Sequence, residues 1–122
     1  MFYDDLAVYS GFVGPVIEAS EGDRLAEALG SKKKNLILQS HGILTAGGTV
    51  AKAAALFIAL ECAYQNQLLI DAAMVNGFTK RIVSPEAAKY TKETTGSPEV
   101  VYMQFVPEYD LLVKECGEDF LQ

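Results

Sequence analysis

The sequence predicts an α/β fold of one domain, and three observations carry that expectation. Two short runs of branched apolar residues, Leu36 to Leu38 and Ile43 to Ala46, have the length and composition of strands. After Gly47 and Gly48 the pattern changes. Ala53, Ala54, Phe57, Ile58, Leu60, Tyr64, Leu68 and Ala72 then recur at steps of three and four, the spacing that keeps one helical face buried. Two later Ser-Pro pairs, at Ser84 and Ser97, each join an N-cap to a proline at the first helical position, where its missing amide does no harm. The expected architecture is a small β-sheet with a long central helix from about Thr49 to Asn76 and further helices toward the C-terminus.

Met1 to Gly11 carries Phe2, Tyr3 and Tyr9 with little periodicity and reads as an extended lead-in. Phe12, Val13, Val16 and Ile17 form an apolar run broken by Gly14 and Pro15, which fits an edge or bulged strand better than a central one. Ser20 opens a helix with Glu21 and Asp23 in its first turn, where acids favour the positive end of the dipole, and Gly30 stops it after Leu29. A lysine loop, Lys32 to Lys34, leads into the strand that ends on Gln39, Ser40 and His41. Thr49 sits where an N-cap would satisfy the first free amides of the long helix. A helix opening at Ser84 and Pro85 is stopped by Gly96, and the next, opening at Ser97, meets Pro107, which interrupts or kinks it. The segment from Glu108 to Gln122 mixes Tyr109, Leu111, Leu112 and Val113 with acids and is amphipathic enough to dock.

The 122 residues fall in the range of one domain, 1–122, and a hydrophobic content of 50% is ample for a core. A mean hydropathy of +0.15 points to apolar surface covered by a partner, so a homo-oligomer is expected. A net charge of −6 argues against nucleic acid, whose phosphates demand clustered Lys and Arg. Lys32, Lys33 and Lys34 read as a solvated turn. Cys62 and Cys116 form neither a metal-ligand spacing nor a disulfide framework, and Cys62 reads as a small core residue. Met1 is followed by Phe2, Tyr3, Asp4 and Asp5 rather than by a basic region and an apolar run, so no signal peptide is expected and a cytoplasmic location is the default. Lys52 and Glu61 interrupt the Ala-rich helix, so no membrane span of about 20 uninterrupted apolar residues is expected.

The stretch LILQSHGILTAGGTVAKAAALFIALECAYQNQLL, from Leu36 to Leu69, resembles the histidine-glycine turn and following helix of the class II aldolase/adducin family, especially its fungal members. His-Gly alone is common, whereas strand, turn, glycine pair and the Leu60-Glu61 helix in that order are not. The resemblance runs from Phe2 over nearly the whole chain and implies a shortened domain, 1–122 matching the C-terminal half of the family's domain. It also implies a zinc site. Family enzymes hold the ion with an H-x-H pair from the first half of the domain plus the histidine of this turn, here His41, beside a catalytic carboxylate also from the first half. The family's other ligands have no counterpart here, so His41 is the one candidate catalytic residue and the one candidate metal ligand, and the cofactor stays open.

Imidazole suits both roles, as a frequent zinc ligand and as an acid or base near neutrality. A catalytic zinc needs three protein ligands, so a histidine inherited from the family and held at a strand end without metal is the reading placed ahead of zinc binding. Gly47 and Gly48 read as a tight turn, with no Walker or dinucleotide spacing around them. Glu61 reads as a buried or interfacial partner for a donor. Phe2 and the tyrosines read mainly as packing. The functional expectation is a small-molecule lyase or related carbon-skeleton enzyme, in a fungal biosynthetic pathway, acting on a small-molecule substrate without nucleic acid or membrane. The alternatives are a non-catalytic adducin-like scaffold or partner protein, and a truncated inactive fragment.

Overall fold

The computed structural model of the chain describes residues 1–11 and 19–117. The expected edge strand at Phe12, Val13, Val16 and Ile17 lies outside the described residues, as does the end of the tail from 118 onward. Among the described residues three strands, β1 (Leu6–Tyr9), β2 (Asn35–Leu38) and β3 (Gly42–Thr45), form one sheet in the order β1-β2-β3. β1 runs parallel to β2, and β3 runs antiparallel to it. Among the described residues four helices accompany them: α1 (Ala19–Leu29), α2 (Val50–Val75), α3 (Pro85–Thr95) and α4 (Pro98–Cys116). The α/β expectation holds.

The period of two along the strands decides which side chains meet α1. Ala7 is in register with Leu36, Tyr9 with Leu38, and Leu36 with Leu44. These residues share one face, and Leu25, Ala28 and Leu29 of α1 pack against it. Gly30 then ends α1 in the left-handed region, φ 68°, as a C-terminal glycine does. The lead-in is not merely extended: it contains β1. What holds its start is polar, since Asp5 is buried, its Oδ1 accepts from the Lys34 amide at 2.6 Å, and Asn35 Nδ2 donates to the Asp5 carbonyl at 2.9 Å.

A second cluster joins the helices. Ala55 and Leu56 of α2 pack against Val101 of α4, with Met1, Phe2 and Phe105 around them. Thr49 caps α2 by accepting from the Lys52 amide at 3.2 Å, and Thr45 Oγ1 of β3 donates to the Ala53 carbonyl at 2.8 Å, which ties the sheet to the helix. Ser84 and Ser97 cap α3 and α4 through Ala87 and Val100.

Three expectations need correction. Of the two outcomes expected at Pro107, the interruption does not occur: α4 runs on through it to Cys116, with the Phe105 and Tyr109 rings, 5.8 Å apart, on either side of it in sequence. Cys62 is exposed, not a core residue, and Glu61 is exposed, which removes the buried half of its reading and leaves the interfacial half: the covered stripe of α2 is Ala55, Leu56 and Leu60, and the helix is apolar well beyond it. That apolarity gives α2 an 18-residue window of mean hydropathy 1.3, long and apolar enough by composition to cross a bilayer. Lys52, Glu61 and Asp71 lie within the helix, and its Leu56 stripe is committed to α4.

Candidate functional site

His41 stands on the turn between β2 and β3, at the end of β2 beyond Leu38. Its amide donates to the Leu38 carbonyl at 3.0 Å, closing a four-residue turn with Gln39 and Ser40 in the middle. Ser40 has φ 63°. A positive φ at the third position alone is the sign pattern of a type II turn, which favours glycine there. The next residue after His41 is Gly42, the start of β3, so the hairpin returns at once and leaves the imidazole exposed at its tip. Two strands that pair with each other therefore fix the base of the turn, and the central strand β2 anchors it to the α1 core.

Zinc requires more than this residue. Among the described residues no group of three His, Cys, Asp or Glu comes together, so they do not by themselves form the three-ligand site that a catalytic zinc takes. His41 contributes one donor. Gly47 and Gly48 follow β3 and join it to the Thr49 cap of α2. A Cβ on Gly47 would lie 2.6 Å from the Ala53 amide nitrogen, so the glycine is what lets the chain pass this close to the first turn of α2.

The opposite end of β2 opens on a different feature. Lys34 immediately precedes the strand, and beside it a cleft of about 380 Å³ lies among the N-terminal segment, α2, α3 and the start of α4. Lys34, Lys52, Lys89 and Lys92 line it over Leu56 and Tyr3. No spacing in the sequence joins these lysines, which come from a loop, the start of α2 and α3. Only Lys34 belonged to the cluster expected to be solvated; Lys32 and Lys33 are exposed, while Lys34 is half-buried. At the start of α4, the Glu99 carboxyl is held below the usual glutamate range by its own backbone amide, then by Ser97, with Lys52 a minor contributor. On α2, burial pushes the pKa of the Tyr64 hydroxyl upward, and its oxygen has no hydrogen-bond partner among the described residues. These tyrosine and lysine positions carry no motif that sequence reading could have found.

Comparison with known proteins adds kinship to this geometry. The family described as Class II Aldolase and Adducin N-terminal domain matches residues 1–68. Meiotically up-regulated gene 14 protein of Schizosaccharomyces pombe is 36% identical over 109 residues, 89% of this chain and 42% of that protein. Decarboxylase NovR of Streptomyces niveus is 32% identical over 109 residues, 89% of this chain and 38% of its own length. Among solved structures, L-fuculose 1-phosphate aldolase from Glaciozyma antarctica PI12 superposes with a TM-score of 0.79 at 34% identity, covering 97% of this chain and 42% of that one. The chain thus spans about two fifths of the length of these relatives.

Proposed function

The chain belongs to the class II aldolase and adducin family, and from that premise we propose that it serves as a small-molecule lyase or a related carbon-skeleton enzyme in a fungal biosynthetic pathway. The observation that carries this reading is the position of His41, the one histidine of the sequence, exposed at the tip of the β2–β3 turn inside the segment that the family matches. Relatives named as an aldolase and a decarboxylase support the reaction class. Breaking a carbon-carbon bond beside a carbonyl leaves the electron pair on an enolate, which must then accept a proton at carbon. A side chain whose ordinary titration lies near neutrality is suited to deliver or remove that proton. His41 takes that role here.

The same reading makes the protein a cytoplasmic homo-oligomer. Both cysteines are free and exposed, as a reducing compartment permits, and a broad apolar surface of α2 remains open to a second copy. The decisive experiment is His41→Ala, assayed for cleavage of β-hydroxy carbonyl compounds and decarboxylation of β-keto acids. Turnover is expected to vanish while circular dichroism stays unchanged. Activity equal to the parent protein would remove His41 from the reaction, and its loss would then cost only roughly 1–3 kcal/mol of stability through its hydrogen bonds. A parent protein without turnover on either class would place the adducin-like scaffold reading ahead.

A further inference from the structure

We infer that the cleft beside Lys34 is a binding site for a small organic carboxylate with an apolar body. The chain carries a net charge of −6, yet four of its ten Lys and Arg residues converge on this one cleft. Asp4, Asp5 and Glu93 also line it, so four ammonium groups face three carboxylates, of which only Glu93 is paired with a lysine. Asp5 accepts from the Lys34 amide, and Glu93 lies 3.9 Å from Lys89. Lys34, Lys52 and Lys92 are half-buried, and none has a carboxylate within ion-pair distance among the described residues. Three partly desolvated ammonium groups around one cavity repel each other, and an anion placed among them would offset that repulsion.

The type of anion follows from what else the cleft offers. A free phosphate is ordinarily gripped by backbone amides at a helix start. Here the first amides of α4 are taken: Pro98 has none, Glu99 bonds its own, Val100 donates to Ser97 Oγ at 3.3 Å, and Val101 to the Ser97 carbonyl at 3.0 Å. The apolar part of the lining is Leu56, Tyr3 and Met1, with Gly96 and Ser97 beside it. Ammonium point charges over an apolar floor suit a ligand with one charged end and a hydrophobic remainder, since the floor gains from burial of carbon, which inorganic phosphate does not supply. This site is independent of the His41 chemistry, at the other end of β2.

The test is calorimetric titration of the chain with sodium benzoate, and with inorganic phosphate at matched ionic strength. Saturable one-site binding of benzoate is expected, weakened roughly tenfold in the Lys52→Gln, Lys92→Gln double variant. The affinity should be unchanged in the Lys32→Gln, Lys33→Gln variant and in His41→Ala. Lys89→Gln, an exposed change that leaves packing intact, should weaken binding by a smaller factor and carries the test if the double variant misfolds. No saturable benzoate binding, equal affinity in the lysine variants, or phosphate bound as tightly as benzoate would each overturn the assignment.

Discussion

Ser40 is the residue on which the presentation of His41 turns. Its φ of 63° belongs to the left-handed region, which costs a side-chain-bearing residue roughly 1–2 kcal/mol relative to glycine. Ser40→Gly should therefore raise thermal stability by about 1 kcal/mol while the Leu38–His41 hydrogen bond persists. A thermal melt with no gain, or a loss, would mean that the serine side chain supports the turn in a way that outweighs its backbone strain. Gly47 makes the opposite case. Its added Cβ would meet the Ala53 amide nitrogen, a backbone atom that cannot swing aside, so this glycine is held by close approach to α2.

The helices show how far local chemistry carries. α4 holds Pro107 in an exposed interior position, where proline forfeits the amide that would bond the Met103 carbonyl. Pro107→Ala should stabilise the chain, by up to about 3 kcal/mol if the helix geometry is otherwise regular, and urea midpoints would show it. An unchanged or lowered midpoint would show that the proline is matched to the path of α4 over Phe105 and Tyr109. Thr49, Ser84 and Ser97 were legible as caps because each bonds an amide three residues on, an interaction wholly inside a short sequence window. Gly30 and Gly96 were legible as stops for the same reason. β1 was not legible, since Leu6–Tyr9 is four residues long and its pairing with Asn35–Leu38 crosses more than 25 positions of chain. Cys62 was misplaced because a helix apolar on more than one face does not declare which stripe is covered. His41 was legible from the break between two apolar runs, whereas Lys34, Lys52, Lys89 and Lys92 meet only in three dimensions.

That surplus of apolar surface governs the molecule as a whole. The covered stripe of α2 is confined to its first half, with Leu60 2% exposed, while Leu68 is 69% and Val75 88% exposed. Phe78, Ile82 and Val83 extend the same apolar character beyond the helix, and Phe78, Ile82 and Val83 line a hollow together with Ile70 and Met74. Apolar patches beyond a few hundred Å² are uncommon on monomers and mark interaction surfaces. Copies of this chain repel through a net charge of −6, so association has to be driven by that surface and strengthens as salt screens the charge. A second copy is the occupant we expect, because a two-fold contact lets one patch cover itself. Sedimentation velocity at micromolar concentration should show a dimer or larger species that grows with added sodium chloride, and Leu68→Lys with Val75→Lys should return it to a monomer with unchanged helicity. A parent chain that sediments as a monodisperse monomer at both salt concentrations would defeat the expectation.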